Sequence, residues 1–494
     1  MNIISRISPQ WALKREKSRR MLAMYEATRP TATRKNPKSK GSANSVNEGA
    51  GQSLRDMARH LEENYDFASG VLDVLVRNTV GASGIGIEPA PKHIDGSLHA
   101  DFADTLRTLW RDFCEHPETT QTMDWALTCQ LMARTWFRDG EAFSKDITGR
   151  VPKYQHGTRV PFSLELLEPD YCPHEHGNSS TIVQGIEFNT WRQPVQYFFY
   201  DRHPGDHLYI DRLRPVQASR VNHLRSIKRL HQARGISSFA SVMSRLNNIA
   251  DYEKYEQVAA RVAASMTGYI KKGTPDLYTP PIGNDGQPLD LERDFQLAAG
   301  AFFDDLQVGE EIGTVQSNRP SGLLSDYLKH MMRGTAAGTG AGYSSISKDY
   351  NGSYSAQRQE LIEQWANYAL LGNQFIGQFV KPVWHRFVDM VLLTPGIEVP
   401  GDLDLNRLYE ADFLNPQMPW IDPKKEADAF KVLLELGLIS PQAIIRARGQ
   451  SPQNVLDQRQ QWKDELKKRG LPEPQPPAAP NPAPPPPEPE EDDE

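Results

Sequence analysis

The sequence predicts an α+β fold that is mainly helical. Long stretches carry apolar residues at helical spacing, above all residues 237–267, where neither glycine nor proline interrupts the pattern. Between about 140 and 225 the pattern changes to short apolar and aromatic runs typical of strands, namely FSLELL, IVQGIEF and VQYFFY. Helices on both sides of one strand-rich region indicate a mixed chain with several lobes.

Composition limits the class of protein. The chain has 494 residues, of which 38% are hydrophobic and 24% are charged, and its mean hydropathy is −0.59. We expect a soluble protein, because no apolar run approaches the length of a membrane span and the first residues lack the apolar core of a secretory signal. Three cysteines without paired spacing, Cys114, Cys129 and Cys172, favour a reducing compartment.

Charge is distributed unevenly along the chain. Residues 1–40 hold 11 Lys/Arg and two Asp/Glu, whereas residues 471–494 hold seven acidic residues, no basic ones and 11 prolines. The remainder holds 45 Lys/Arg and 54 Asp/Glu. An acidic body argues against a protein that grips nucleic acid through many phosphate contacts, and it suits a surface past which DNA slides.

The N-terminal half divides into an arm and a mixed lobe. Residues 1–52 are basic and poor in apolar residues, so we expect a mobile arm; contact with nucleic acid or a neighbouring subunit is the alternative. Residues 53–80 have helical periodicity that ends at Gly81, and residues 98–114 and 123–138 resemble further helices. The periodic positions of the first helix are Leu54, Met57, Leu61, Phe67, Val71 and Leu75.

A long helix and an acidic segment follow the mixed lobe. A helix over residues 237–267 would span about 45 Å at 1.5 Å per residue, enough to cross a whole domain. It ends near Lys271 and Lys272, before a segment at 271–317 that is broken by prolines and glycines. That segment holds nine acidic residues against three basic ones: Asp276, Asp285, Asp290, Glu292, Asp294, Asp304, Asp305, Glu310 and Glu311.

The most informative segment is a loop predicted between two helices. A helix at about 321–337 runs into the glycine-rich stretch GTAAGTGAG at 334–342, which allows the backbone to bend or to approach another surface closely. YSSISKDYNGSYSAQRQE follows at 343–360, and its KDYNG part reads as an exposed turn. A helix then runs from about 353 to 393, with a kink or break at Pro382. Short helices at 422–470 and an extended, mobile tail complete the chain.

The sequence contains few motifs that indicate catalytic chemistry. The glycine-rich stretch lacks the Lys-Ser/Thr of a phosphate-binding loop, and no G-x-S-x-G elbow is present. Cys172, His174 and His176 are adjacent in a loop, whereas a structural zinc site needs four converging ligands. The pair Asp304 and Asp305 is a candidate for Mg²⁺, but an acidic, solvated rim is the better interpretation. We therefore predict no enzyme activity, no catalytic residue, no metal and no cofactor.

Residues 202–234 form a basic run of eight Lys/Arg and two acids. It either binds phosphate or an acidic surface of a neighbouring subunit, or is an exposed positive face, and the sequence leaves these readings open. The interface candidates within it are Arg225, Lys228, Arg229 and Arg234.

Four blocks in order carry a family resemblance. The loop block GYSSISKDYNGSYSAQR resembles the strongest motif of the portal proteins of lambda-type tailed phages, although Ala356 stands where that family commonly has a second serine. Three further blocks match in the same order. They are residues 64–89, residues 201–209 with 218–265, and residues 420–450. The resemblance spans roughly residues 50–460, and nothing is carried onto the first 50 or the last 24 residues.

The resemblance implies a portal fold with wing, stem, clip and crown regions, assembled as a ring around an axial channel. The implied regions, together with the arm and tail that the composition predicts, are an arm at 1–52, a wing at 53–235, a stem helix at 236–270, a clip at 271–317, a second stem helix at 318–337, a tunnel loop at 338–356, a long kinked helix returning to the wing at 357–421, a crown at 422–470 and a disordered tail at 471–494.

The resemblance also implies a function. A ring, usually of twelve copies, would stand at one capsid vertex of the virion after assembly in the host cytoplasm. Double-stranded DNA would pass through it without sequence readout during packaging and ejection. The implied partners are the terminase large subunit, head-completion and tail connector proteins, and the major capsid and scaffold proteins. A nuclease-type subunit of a packaging complex and a non-channel capsid or scaffold protein are the alternatives.

Individual residues receive roles on this hypothesis. We expect Lys348, Tyr350, Asn351 and Tyr354 to touch the DNA backbone by charge and hydrogen bonding. Arg333 and Arg358 would hold the helices that flank the loop. The acidic residues expected to face the terminase are Asp304, Asp305, Glu310 and Glu311.

Overall fold

A computed structural model confirms the predicted α+β, mainly helical class. It describes residues 41–177, 179–206, 212–264, 268–272, 282–287, 310–314, 324–418, 422–448 and 450–472. In chain order its helices are α1 Ala43–Asn64, α2 Asp66–Thr79, α3 Ala100–Glu115, α4 Trp125–Asp139, α5 Met243–Ala264, α6 Leu324–Thr339, α7 Tyr343–Ser347, α8 Tyr354–Phe375, α9 Lys381–Leu392, α10 Pro423–Glu435, α11 Pro441–Ala447 and α12 Pro452–Lys468. None of these helices combines the length and apolar character that a bilayer crossing requires.

The strands form four small antiparallel sheets. They are β1 Gly86–Pro89, β2 Glu141–Thr148, β3 Phe162–Leu167, β4 Ile182–Val183, β5 Ile186–Phe188, β6 Pro194–Tyr200, β7 Leu213–Gln217, β8 Val221–Arg225, β9 Gly268–Lys272, β10 Glu310–Thr314 and β11 Ala411–Leu414. The sheet orders are β3-β2-β8, β4-β5-β6-β7, β1-β11 and β10-β9. In the first sheet Glu141 lies opposite Arg225, and Phe143 lies between Leu167 and His223.

The three-stranded sheet separates two apolar cores. Side chains alternate across a strand, so successive residues of β2 face opposite layers. One face packs with the helices into the main core through Ala142, Leu164 and Leu224. The other face packs against the four-stranded sheet through Phe143, Leu167 and Val221. The predicted strands FSLELL, IVQGIEF and VQYFFY are thus all present in this layered wing.

Aromatic rings fill the centre of the main core. The ring of Trp110 on α3 lies 5.2 Å from Trp125 on α4 and 5.5 Å from Trp384 on α9, in edge-to-face geometry. Phe379 stacks on Trp125 at 5.8 Å. Edge-to-face and offset pairs are the favourable arrangements of aromatic rings. Helix α9 is therefore part of the main core, although it is remote in sequence from α3 and α4.

Helix α1 begins earlier than the sequence predicted. We expected residues 1–52 to be an arm, but residues 43–52 are helical, with Ser42 capping the helix through the Ser45 amide at 3.1 Å. The stripe that α1 buries is small or polar at its start, with Ala43, Asn47 and Gly51 four residues apart. An apolar pattern could not reveal it. Residues 1–40 of the predicted arm lie outside the described residues.

The predicted stem helices are present with different bounds. Helix α5 covers residues 243–264, and it begins later than expected because residues 238–242 form turns in front of it. Residues 265–267 lie outside the described residues, and the predicted stem helix at 236–270 is wrong at its end, because β9 begins at Gly268. The second helix, α6, covers Leu324–Thr339. Most of the predicted clip lies outside the described residues, but β9 and β10 pair antiparallel there, with Glu310 opposite Lys272 and Glu311 opposite Lys271.

The predicted irregularity near Pro382 is confirmed. Helices α8 and α9 are joined by a π-helical turn at Ile376–Val380, in which the Lys381 amide bonds to the Ile376 carbonyl. Proline has no amide hydrogen and its ring collides with the carbonyl four residues back, so a wider turn before Pro382 relieves the conflict. Three short helices, α10 to α12, occupy the predicted crown, and residues 473–494 of the predicted tail lie outside the described part.

Gly140 is a tight steric point between the wing and the chain that leads into α5. It ends α4 with φ 91°, and an added Cβ would lie 2.3 Å from the carbonyl carbon of Ile236. We expect Gly140→Ala to lower the free energy of unfolding by at least about 3 kcal/mol, since left-handed strain and overpacking add. Urea unfolding followed by circular dichroism measures this.

Gly149 provides the matched control for that substitution. It has φ 69° but nothing within 4 Å of an added Cβ, so Gly149→Ala should cost only about 1–2 kcal/mol. Equal shifts of the unfolding midpoint in the two variants would show that the contact with Ile236 is not limiting.

Candidate functional site

The predicted loop is shorter and more ordered than its sequence suggested. After α6 the chain turns at Gly340, which has φ 76°, and then forms the helical turn α7, Tyr343–Ser347. Lys348 ends α7 in a left-handed conformation with φ 57°. Ser353 then caps α8 by accepting a hydrogen bond from the Ala356 amide at 3.3 Å. Only residues 348–352 therefore remain as a turn between helices.

Helix α8 holds the loop from one side. Glu360 accepts hydrogen bonds from the Ser344 amide at 2.9 Å and from the Ser344 hydroxyl. The Tyr368 hydroxyl accepts the Gly342 amide at 3.2 Å, and the Asn367 side chain donates to the Gly340 carbonyl at 2.9 Å. These bonds satisfy backbone groups that would otherwise be open at the start of α7. Sequence analysis missed Glu360 and Tyr368, because their partners lie 16 and 26 residues away.

Helix α6 holds the loop from the other side. The Arg333 guanidinium lies 5.2 Å from the centre of the Tyr343 ring, within cation–π range. Lys329 lies 3.9 Å from Asp349, whose carboxylate also accepts the Tyr343 hydroxyl at 3.3 Å. A hydrogen bond from the Asn351 amide lowers the pKa of the Asp349 carboxyl. The loop thus has side-chain contacts to both flanking helices.

The glycine-rich stretch serves close packing. A Cβ on Gly338 would lie 2.3 Å from Val242 Cγ1, and one on Gly334 would lie 2.2 Å from the Arg245 guanidinium. A Cβ on Gly342 would lie 2.0 Å from the Gln364 side chain. Of the two uses that the sequence predicted, bending and close approach, the second explains these positions.

The tip of the loop is exposed. Tyr350 and Tyr354 are 60% and 53% exposed, and Lys348 and Asn351 are exposed beside them. Within the described part of the chain no carboxylate lies within 4 Å of the Lys348 ammonium. Lys348, Tyr350 and Asn351 thus lie in one exposed turn, and Tyr354 is the first residue of the helix that follows it. Arg358 is exposed one turn into α8. The hydrogen bond to Asp422 raises the pKa of Lys425, and the Arg358 charge opposes a small part of that effect.

The other predicted site residues are spread over the molecule. Asp304 and Asp305 lie outside the described residues, and Glu310 and Glu311 lie on β10. Lys228 and Arg229 are exposed after β8, and the Arg229 guanidinium donates to the Gly41 carbonyl at 3.1 Å.

Two of the four basic interface candidates are used inside the subunit. Arg234 was wrongly predicted as a surface residue, because it is fully buried and its guanidinium lies 2.7 Å from Glu141. It also donates to the Gln184 carbonyl at 2.7 Å and to the Cys172 carbonyl at 2.9 Å. Arg225 is half-buried and donates to the Gln232 carbonyl at 3.0 Å. A buried charge needs this density of partners, and sequence spacing does not reveal it.

Glu141 is the centre of a buried ionic cluster. Its carboxylate pairs with Arg234, accepts the Gly235 amide at 2.8 Å, and lies 3.0 Å from His223 Nε2. Arg55 of α1 lies 3.8 Å away and bonds His174 at 2.8 Å. Burial alone would raise the pKa of the Glu141 carboxyl, but the Arg234 charge and the His223 hydrogen bond hold it well below the usual value.

Cys172, His174 and His176 are not among the described groups whose ligand atoms converge, and Asp304 and Asp305 lie outside the described residues. Burial raises the pKa of the Cys172 thiol to about 11, and His174 is occupied by Arg55. Elsewhere in the described ranges, two groups have ligand atoms close enough for an ion: His93, His99 and Asp402, and Glu168, Asp170 and His203.

Both of these groups have protein partners instead. His99 Nδ1 accepts the Phe102 amide at 3.2 Å, which leaves the proton on the Nε2 that faces Asp402 at 3.5 Å. Arg59 already lies 2.5 Å from Asp170 and 3.6 Å from Glu168 in the second group. Neither arrangement favours a cation.

Comparison with known proteins identifies the class. Residues 29–371 match the family described as phage portal protein, lambda family. The chain is also 23% identical over 433 residues to a probable portal protein of Halomonas phage phiHAP-1, covering 86% of this chain and 82% of that protein. The family match at residues 29–371 includes the whole loop between α6 and α8.

Solved structures of gene transfer agent particles are similar over a comparable length. The neck of a native particle matches with 14% identity and a TM-score of 0.41, covering 82% of this chain and 94% of that one. The virion of a native particle matches with 12% identity and a TM-score of 0.43, with the same coverage.

The family match places the protein among phage portal proteins, which are structural proteins of the virion. The family match covers well over half of the sequence. The chain belongs to the lambda family of phage portal proteins.

The buried histidines predict a pH dependence of stability. Burial lowers the pKa of His174 and of His223 from 6.5 to about 4. Between these values the unfolded chain binds protons that the folded chain does not, so the free energy of unfolding should fall as pH falls from 6.5 towards 4. Burial raises the pKa of Asp146 to about 6, and this one carboxyl offsets part of the loss. Unfolding at pH 7.5, 6 and 5 measures the slope.

His223→Gln tests the origin of this slope. The variant cannot bind the proton, so its stability should depend less on pH in that window even if it is lower at pH 7.5. His330→Gln, on the exposed side of α6, is the control and should keep the original slope. A wild-type protein equally stable at pH 7.5 and pH 5 would contradict this account.

Proposed function

We propose that copies of this chain form a ring around an axial channel, twelve in the form that the family resemblance suggests, at one vertex of a phage capsid. Double-stranded DNA passes through the channel into the head at packaging and out of it at ejection. The terminase large subunit docks on the clip around 271–317, and head-completion, tail, capsid and scaffold proteins contact the ring. The single observation that carries this proposal is the family match, which includes the loop between α6 and α8.

The geometry of the loop supports a role in holding DNA. A ring places the same turn of every subunit at equal height along the channel. A few groups per subunit are therefore enough to contact the DNA from all sides. Lys348 offers a charge, and Tyr350, Asn351 and Tyr354 offer hydrogen bonds. Such groups contact phosphate and sugar, which carry no base sequence. Contacts from Glu360, Tyr368 and Arg333 fix the turn, so an applied force reaches the helices instead of deforming the loop.

The acidic body of the chain fits the same function. A wall that attracted phosphates everywhere would hold DNA in place, because each neutralised phosphate adds to the affinity. A net-acidic wall lets the DNA slide, and isolated cations on the loop resist that movement only where they contact a phosphate. Assembly takes place in the host cytoplasm on this proposal, and the finished ring remains in the virion.

Electron microscopy of the purified full chain tests the assembly. We expect rings with a central hole and a uniform number of subunits. A monomer that cleaves DNA with Mg²⁺ would support a nuclease-type subunit, and closed shells would support a capsid or scaffold protein. Either result would overturn the channel.

Lys348→Ala tests the loop. The variant loses an exposed charge at a turn, so rings should form normally, while heads filled in a packaging assay should lose DNA several-fold faster than wild type. Retention is measured as nuclease-resistant DNA over time after packaging.

Lys153→Ala is the matched control for Lys348→Ala. Lys153 is also an exposed lysine with a left-handed backbone, at φ 63°, but it lies in the wing. It reproduces the loss of charge and the local backbone effect, so it should leave retention unchanged. Equal retention in wild type and in both variants would remove the loop from the mechanism.

A further inference from the structure

The wing carries a depression where the described chain begins. A cavity of about 420 Å³ is lined by residues from three segments: Ser42, Ala43, Asn44, Arg192, Leu230 and His231. A smaller cavity of about 60 Å³ continues from it and shares Asn44, Arg192 and His231. No acidic residue is among the described residues that line either cavity.

Two strained residues face each other across this depression. Arg192 has φ 64° and His231 has φ 60°, two of six non-glycine residues with positive φ in the described chain. Hydrogen bonds hold both: the Asn44 side chain donates to the His231 carbonyl at 3.1 Å, and Arg192 donates its amide to the Asn189 carbonyl at 3.0 Å. Backbone strain persists only where surroundings enforce it, and it concentrates at functional sites.

Large apolar side chains at the rim remain in solvent. Trp191 is 88% exposed and Leu230 is 90% exposed, and Ile227 is 50% exposed on the same segment as Leu230. Single exposed apolar residues are common, but Leu230 lines the depression, Trp191 precedes the lining residue Arg192, and Ile227 is three residues before Leu230, so together they indicate a contact surface. An exposed tryptophan next to a cation is a frequent anchor of protein contacts.

The charge of this surface is positive. Arg192 lines the depression, and Lys228 and Arg229 directly precede the lining residue Leu230 in the chain. None of the three has a carboxylate within 4 Å among the described residues. Arg229 is fixed by the Gly41 carbonyl, so its guanidinium stays at the rim. Fixed cations beside an exposed indole suit a ligand that is both acidic and rich in rigid, flat apolar groups.

We propose that this surface, defined by Trp191, Arg192, Lys228, Arg229 and Leu230, binds the proline-rich acidic segment 473–494 of a copy of this chain. That segment has no basic residue, seven acidic ones and ten prolines. Proline-rich chains dock on aromatic side chains at low entropic cost. The carboxylates, most of them at positions 488–494, complement the three cations.

The acidic segment has a long reach. An extended proline-rich chain advances about 3.1 Å per residue, so the 22 residues after position 472 can reach about 70 Å. The basic segment 1–40 is also near in sequence, because it precedes the lining residue Ser42. Its positive charge would be repelled by the cations of this surface. The inference is independent of ring formation, because the segment can come from the same copy or from a neighbouring copy.

Zero-length cross-linking of the full chain tests the proposal. Carbodiimide joins a lysine amine to a carboxylate in direct contact with loss of water, and Lys228 is the lysine of this surface. We expect mass spectrometry to find Lys228 joined to Asp or Glu within 473–494, at least five-fold more often than the exposed Lys153 is. The yield should fall with added salt, since the contact is electrostatic.

Matched variants identify the surface. The double change Trp191→Ala with Arg192→Glu should lower the Lys228 cross-link at least five-fold, and Arg111→Glu on the exposed side of α3 should leave it unchanged. Both sites are exposed, so the fold should survive, and unfolding curves check this. Cross-links from Lys228 to Glu16 or Glu26 instead would identify segment 1–40 as the occupant. That result, or a Lys228 yield equal to that of Lys153, would overturn the proposal while leaving the ring untouched.

Discussion

The arrangement of this subunit depends on the buried pair between Glu141 and Arg234. Glu141 is the first residue of β2, and Arg234 lies in the connector between β8 and α5, so the pair fixes where the chain leaves the wing. The Gly235 amide adds a second bond to the same carboxylate. A buried ion pair adds little net stability compared with an apolar pair, but losing one partner leaves an uncompensated charge that costs about 3–5 kcal/mol. The Glu141–Arg234 pair therefore serves mainly to hold the chain in one path between the wing and α5.

That path continues through close contacts at glycines, where no side chain of the glycine separates its backbone from the neighbouring group. Gly140 touches Ile236, and the Gly338 backbone of α6 touches Val242 at the start of α5. Gly342 then touches Gln364 of α8, and Glu360 of the same helix holds α7. Close-packed contacts transmit displacement with little loss, because protein interiors are barely compressible. The wing, the helices that leave it and the loop are thus one mechanically continuous unit.

The sequence predicted the parts of the fold that follow an apolar rhythm. The helices of the wing and the three strand runs were found in this way, because burial of apolar side chains determines them. The break before Pro382 was predicted separately, from the missing amide hydrogen and the ring of proline. It missed the start of α1 and the interior position of Arg234, since both depend on buried polar groups whose partners are 90 or more residues away. The loop between α6 and α8 was predicted from its glycine-rich and turn-forming sequence, and the DNA contacts of its residues stay a prediction. Its supports Glu360 and Tyr368 carry no local signal.

The same long-range pairing decides which cations are available to a ligand. Eight basic residues in the run 202–234 suggest one positive face, yet Arg234 and Arg225 are satisfied internally, and Arg214 pairs with Asp201 at 2.7 Å. On α6, beside the loop, Lys329 lies near Asp349 and Arg333 contacts the Tyr343 ring. A charge that is already paired gives little to a new partner, because it must first be separated from the old one. Lys348 beside the loop, and Lys228 and Arg229 on the wing, are exposed and have no carboxylate within 4 Å among the described residues, so they are available to an anionic partner.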